Sequence, residues 1–402
     1  GDTALAAVGT AGPILNLLIV LFMGIATGAS ILSAQYFGAK DREQLSRAVG
    51  STIFLTIASG LVMTVVGYFV SPWLVAMVTP PPEVAPGATE YLQIIFIGIL
   101  GCGMYNILSG VLRGLGDSLN PLIYLVIASL MNIVLDLYFV RDLGMGVAGV
   151  AIATICSQLL SAVLVVISLM RSEMTPYQLF PKRLRIYAMP MRSILMIGVP
   201  TALQSVMYNA SNIVIQASIN SFGTDAVAAW TAYGKMDILF WMTLTAMSQA
   251  LTTFTGQNYG AGKYDRLKQG VRVSLAMTAG FTVAISAVMF LLARPILSIF
   301  TPDPDVLEIG VGMVRFLAPC YITYILVELL PGAIRGAGKS MVPMLISVFG
   351  VCALRLLWLF TVVPAYHTIE TVEMSYPITW VVTSVSIFIY YRFGKWLKPA
   401  TT

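Results

Sequence analysis

A carboxylate of this sequence, Asp136, stands inside an apolar run. Asp136 closes the stretch NIVLD (Asn132–Asp136), within the run 122–140. A charged side chain in a membrane-length run costs about 3 kcal/mol on insertion scales and marks a functional position unless it reaches water. Snorkelling is open to it, because Val140 is only about 6 Å further along at 1.5 Å per residue. Asn132 lies one turn earlier on the same helical face, which suits a polar pocket better than a lipid-facing end. The following run, 147–170, returns antiparallel after a short loop. It places Thr154 about 12 Å below its outer end, within roughly a turn of the same depth. Carboxylate, amide and hydroxyl oxygens together make a site for a hard cation.

Other polar residues in apolar runs admit two readings each. Glu328 counts to one end of its run, where it either snorkels or pairs with Arg335, or else serves as a cavity or gate residue. Arg355 is deeper, and is either a structural ion-pair partner or a substrate filter. Gln204, Tyr208, Asn209 and Asn212 recur at helical spacing, as interhelical glue or as cavity lining. The four cysteines (Cys102, Cys156, Cys320, Cys352) form no CxxC pair and read as buried thiols. His367 is the sole histidine, so a His-based metal site or catalytic triad is not available. The 21 methionines fit lipid-facing packing, although their adaptability would also suit promiscuous binding.

The letters GKS in GAIRGAGKSMVP (Gly332–Pro343) suggest a phosphate-binding loop, which needs Gly-x-x-x-x-Gly-Lys-Ser/Thr. The leading glycine would have to be residue 333, which is Ala333. The stretch GVLRGLGDSLNP (Gly110–Pro121) repeats the pattern 222 residues earlier, with Asp117 in place of Lys339. A phosphate loop does not tolerate a carboxylate there. Both stretches read as turns whose glycines end one helix and whose Pro121 and Pro343 open the next. Arg113 and Arg335 then sit at helix C-termini, where the dipole favours a cation.

The elements that must position these groups are membrane helices. The chain is 58% hydrophobic and 10% charged, with mean hydropathy +0.86. Eleven apolar runs of about spanning length recur, at 14–34, 51–70, 91–112, 122–140, 147–170, 193–221, 238–256, 273–293, 309–330, 341–363 and 377–391. No soluble core accounts for them, and barrel-type alternation is absent. The stretches near 35–50, 113–121, 171–192, 257–272, 331–340 and 392–402 hold 18 of the 23 Lys and Arg residues. The opposite loops hold Arg141, Lys235 and Arg294 and most of the acids, including Glu83, Asp303, Asp305 and Glu373. The basic side is therefore expected to be cytoplasmic, with Thr402 inside and Gly1 outside. The net charge of +5 reflects this topology and not nucleic-acid binding.

The spacing of 222 recurs along the chain. QYFGA (Gln35–Ala39) returns as QNYGA (Gln257–Ala261), and TPPPEV (Thr79–Val84) as TPDPDV (Thr301–Val306). Such an offset predicts two parallel repeats: an N-terminal lobe at 1–170, a basic linker at 171–192 and a C-terminal lobe at 193–402. The run 193–221 then has no partner in the sequence, because its partner would precede Gly1. We expect an additional helix of roughly 30 residues there, of spanning length and with its N-terminus cytoplasmic.

At QYFGAKDREQLSRAV, LRGLGDS, IRGAGKS and NIVLD the chain resembles the multidrug and toxic compound extrusion (MATE) transporters, closer to prokaryotic members than to eukaryotic ones. The resemblance covers essentially the whole chain. It implies an all-α polytopic fold of two six-helix bundles around a central cavity, with eleven of twelve helices present here. The 1–170 lobe would then hold the equivalents of helices 2–6, and 193–402 those of helices 7–12. It implies efflux of organic cations or amphiphilic drugs in exchange for Na+ or H+, without a cofactor, by a monomer in the cell (inner) membrane. Asp136 and Asn132 match cation-site positions of the family's N-terminal lobe, Thr154 matches their threonine partner, and the additional helix should carry a carboxylate facing them.

Two competing functions remain. A lipid-linked oligosaccharide flippase of the related superfamily usually has more spans and a more cationic cavity, whereas only Arg315 and Arg355 are basic within runs here. An intramembrane transferase enzyme would need clustered acids for Mg2+, and no DDxxD-like group exists.

Overall fold

The computed structural model describes residues 2–78, 81–171 and 185–397. Most of the basic linker (172–184) and the end of the tail lie outside the described residues. The chain divides into two compact units, residues 1–202 and 203–402. No strand occurs among the described residues.

The first unit contains α1 (Asp2–Gly38), α2 (Arg42–Met77), α3 (Ala85–Ile97), α4 (Ile99–Gly114), α5 (Leu119–Asp136) and α6 (Gly146–Arg171). It also takes the first part of α7 (Ala188–Asn220), since the boundary falls inside that helix at 202/203. Asp41 caps α2 by accepting from the Gln44 amide at 3.0 Å. α3 and α4 are one bent element, turned by 54° at Gly98. The core gathers Phe22, Leu45, Phe96, Leu108 and Leu112. Lipid-length apolar surface covers the outside of α2, where Phe69 is 76% and Trp73 62% exposed.

The second unit continues with the rest of α7, then α8 (Thr224–Gly260), α9 (Tyr264–Leu291), the short α10 (Ala293–Leu297) and α11 (Pro304–Leu317). A tighter 3-10 segment, Ala318–Tyr324, leads into α12 (Ile325–Gly336). After α13 (Met341–Ser347) a widened turn with i→i+5 bonding, Val348–Ala353, precedes α14 (Leu354–Thr361), and α15 (Ile369–Phe393) ends the described helices. Asp303 caps α11 through the Asp305 amide at 2.9 Å, and Pro304 follows as its first residue.

Eight helical stretches are long and apolar enough to cross a membrane, and the bent α3–α4 pair raises the number to nine among the described residues. The two further runs read from the sequence are helical too, as α7 and α8. They are 33 and 37 residues long, but are not among these eight stretches. Polar residues such as Gln204, Asn209 and Asn212 on α7, and Lys235, Asp237 and Gln249 on α8, lower their hydropathy.

The GKS turn has no phosphate cradle. In LRGLGDS the Asp117 amide donates to the Leu112 carbonyl at 2.9 Å, with Gly116 at φ 93°; in IRGAGKS the Lys339 amide donates to Ile334 at 3.2 Å, with Gly338 at φ 83°. These are the same helix-terminating turn, using glycine for the left-handed residue. The preceding glycines have a second role that the sequence reading did not give them. A Cβ on Gly336 would lie 2.6 Å from the Thr252 carbonyl oxygen, and one on Gly114 would overlap the Ser30 carbonyl oxygen. Small residues thus let α12 cross α8, and α4 cross α1, at backbone contact.

Candidate functional site

Asp136 is the last residue of α5 before the chain widens into a π-type turn, Leu137–Asp142. Such widened turns recur at functional sites, because they shift a side chain out of register with its helix. Asp136 is half-buried, and its Oδ1 is shut off from solvent without a hydrogen-bond partner; so is Nδ2 of Asn132. On α6 the Thr154 hydroxyl donates to the Val150 carbonyl at 2.9 Å, which leaves its oxygen lone pairs free to accept. Tyr91, at 6% exposure, stands within hydrogen-bonding reach of Thr154 and in electrostatic range of Asp136. Asp136 and Thr154 thus both lie within range of the Tyr91 phenol.

Two residues here escaped the sequence reading. Tyr91 is the first residue of the apolar run 91–112. Gln158 lies one turn beyond Thr154, and its Oε1 is also buried without a partner. Its signal was a lone amide in the run AIATICSQLLSAV. Native proteins rarely leave buried polar atoms unpaired, so such atoms on the α5 and α6 faces call for an explanation. No group of three or more His, Cys, Asp or Glu residues is placed to hold a metal among the described residues. The oxygens on offer are one carboxylate with amide and hydroxyl neighbours, a donor set for a hard monovalent cation or a proton and not for a tightly held divalent ion.

In the second unit the predicted α7 stripe separates. Gln204 is buried, donates to the Tyr208 hydroxyl at 3.4 Å and accepts from Nη1 of Arg335 at 3.3 Å. Tyr208 also lies in electrostatic range of Glu328. Asn209 donates to its own helix at Ser205, and Asn212 is exposed. Glu328 is half-buried on α12, near Arg335 but beyond ion-pair distance, and its backbone carbonyl accepts from Ser248 at 3.1 Å. Gln204, Tyr208, Glu328 and Arg335 thus form one polar group, from which Asn209 and Asn212 are absent.

Arg355 is 4% exposed and has no carboxylate oxygen within ion-pair distance; the ion pairs among the described residues are Arg47–Glu43 and Arg294–Glu308. Its guanidinium lies over the Tyr376 ring at 4.3 Å, and Nη2 donates to Thr379 at 3.3 Å. Two further acids were not read as internal. Asp237 is buried and accepts from Tyr321 at 2.6 Å and from Trp241 at 2.5 Å. Glu373, expected in an outer loop, is 2% exposed, because α15 starts at Ile369, eight residues before the apolar run that marked it.

The fold and these internal polar groups define an all-helical, multi-pass membrane protein with charged residues held inside its helix bundles. The MatE family model matches residues 1–138 and 200–361. The chain belongs to the MatE family, and is a membrane transporter and not an enzyme. It is 28% identical to "Probable multidrug resistance protein YoeA" of Bacillus subtilis, over all of this chain and 88% of that protein. It is 24% identical to "Probable multidrug resistance protein NorM" of Thermotoga maritima, over 99% of this chain and 86% of that one. Among solved structures, a MATE transporter in the bent conformation superposes with a TM-score of 0.91 at 22% identity, covering 98% of this chain and 87% of that one.

Proposed function

We propose that this transporter exports small organic cations or amphiphilic drugs in exchange for Na+ or H+, and that Asp136, Asn132 and Thr154 take up the coupling ion. The observation that carries this reading is the buried, partnerless oxygen of Asp136, within electrostatic range of Tyr91, which in turn reaches Thr154. A carboxylate kept without a counter-charge is stabilised when a cation arrives and destabilised when it leaves. Its occupancy can therefore bias a conformational equilibrium, which is the requirement for coupled alternating access. The neighbouring widened turn at Leu137–Asp142 gives α5 a place to repack in response. Gln204, Tyr208 and Glu328 supply polar contacts for the substrate in the second unit. The multidrug names of its relatives support this substrate class. In this reading the protein is a monomer in the cytoplasmic membrane, and the distribution of Lys and Arg supports a C-terminus on the inside.

Counter-transport in proteoliposomes tests the proposal, with Na+ and pH gradients imposed separately. A fluorescent organic cation should accumulate under one of the two gradients in wild type and under neither in Asp136→Asn. Gradient-driven accumulation by a correctly inserted Asp136→Asn protein would refute the site.

A further inference from the structure

We propose that Glu373 is a proton-binding site of the second unit, separate from the Asp136 pocket, and that Arg355 reads its charge across the face of Tyr376. Glu373 is 2% exposed, and its Oε1 has no hydrogen-bond partner. No cationic nitrogen lies within ion-pair distance of it among the described residues. An ionised carboxylate in such a place is strongly disfavoured, so the arrangement is that of the neutral acid. The helix dipole works the other way at the capped start of α15. Its effect falls off within the first turn, and Glu373 is the fifth residue of the helix.

The surroundings show what a charge on Glu373 would do. Glu373, Tyr376 and Thr379 follow one another at i, i+3 and i+6 along α15, on one side of the helix. Arg355 stacks on the middle member and holds Thr379 through a bond of 3.3 Å, while its Nε has no partner. Loss of the Glu373 proton creates a carboxylate one turn before Tyr376 on α15, whereas Thr379 lies one turn after it. A guanidinium with an unsatisfied donor then has a better partner than a hydroxyl, and turning towards Glu373 satisfies both groups. The O–H bond of the acid breaks, the proton passes to water, and Arg355 keeps its charge throughout. Water is near, since Glu370 one turn away and residues 364–368 are exposed.

The other charged and titratable groups fit this reading. On α15 itself Glu370, one turn before Glu373, adds a second carboxylate. From α8, Asp237 and Tyr233 face the cluster. Asp237 accepts from Tyr321 and Trp241, and Tyr376 lies in range of Arg355, Asp237 and Glu373. The 3-10 segment contributes Tyr321 and Tyr324, and Tyr324 senses both Arg355 and Glu328 of α12. Cys352 of the widened turn lies near Arg355, and α7 contributes Tyr208 beside Tyr324. That widened turn, Val348–Ala353, directly precedes α14 and packs Gly350 against Thr383 of α15. Movement of Arg355 therefore has a compliant segment next to it.

Infrared difference spectroscopy of the full chain in lipid, titrated in pH, reads the proton directly. Wild type should lose protonated-carboxyl absorption as pH rises. Part of that loss should be missing from Glu373→Gln, which mimics the neutral acid, and this part should be retained in Asp136→Asn. Glu373→Asp should keep a titrating band with a shifted midpoint, so the test does not depend on one variant. Tryptophan fluorescence gives a second reading, because Trp380 and Trp230 contact Tyr376 at ring distances of 5.4 and 6.0 Å. Its pH response should disappear in Glu373→Gln. A carboxyl band that titrates unchanged in Glu373→Gln overturns the proposal, as does wild-type protein with no titrating protonated carboxyl. Either result leaves the Asp136 site standing, since that site is judged by gradient-driven transport.

Discussion

The two units use the same turns and crossings to hold opposite kinds of polar interior. In the first, the carboxylate of Asp136 is half-buried and lacks a partner, with orphaned amide atoms at Asn132 and Gln158 on α5 and α6. In the second, Asp237 is saturated by Tyr321 and Trp241, and Arg355 is laid on Tyr376 within a cluster of aromatic rings. Helix ends coincide at the spacing of 222: α1 and α8 run 2–38 and 224–260, and α4 and α12 end at Gly114 and Gly336. The backbone frame is thus shared while the chemistry is not. A frame held by glycine crossings and glycine turns leaves the inner side chains free to differ, so the carboxylate oxygen of Asp136 lacks a partner in one unit while Asp237 is hydrogen-bonded in the other.

The largest expected effect separates the pockets. Asp136→Asn should abolish gradient-driven efflux while leaving expression and insertion unchanged, whereas Asn212→Ala, at an exposed position, should transport like wild type. Efflux assays on the matched pair check this. Equal loss in both would remove the distinction between the units.

Next come the crossings. Gly336→Leu forces side-chain atoms against the Thr252 carbonyl, and overpacking of this kind costs about 1–3 kcal/mol. Gly114→Leu should behave alike against Ser30. Thermal unfolding in detergent should show similar drops in Tm, and a large drop in one alone would mean that the shared frame is weaker than its geometry implies.

The network in the second unit predicts a smaller, asymmetric response. Asp237→Ala strands the buried Tyr321 and Trp241 donors, at about 1–3 kcal/mol for a group left unpaired. Tyr233→Phe removes the bond to Tyr321, at 2.8 Å, and should cost about 1 kcal/mol. Unfolding midpoints that rank the two in reverse would show that Asp237 is not the hub of the network.

The smallest effect concerns the GKS turn. Lys339→Ala should leave transport unimpaired and independent of ATP, because Asp117 occupies the equivalent place in the first unit with the same turn geometry. Nucleotide-dependent uptake in liposomes lacking an ion gradient would contradict this.

The amino-acid sequence by itself determined the helical, membrane-spanning class, the two glycine turns and the isolation of Asp136. Each of these is a local property: apolar length, a left-handed residue at a helix end, one acid in a run without others. It pointed to Asn132 and Thr154 because a short loop ties their helices together in depth. Only the tertiary structure decided which internal polar groups are satisfied. Asp237 meets Tyr321 across 84 positions, and neither residue carries a mark of the other in its neighbourhood. The α7 stripe had the right spacing, yet helical period alone cannot say that Gln204 turns inward to Arg335 while Asn212 turns out. Glu373 was misplaced because α15 begins two turns before its apolar run, and burial of those turns comes from neighbouring helices. The glycines of GVLRG and GAIRG gained their crossing role in the same way. A glycine is small in every context, but whether its missing side chain is filled by another backbone depends on which helix the fold brings against it.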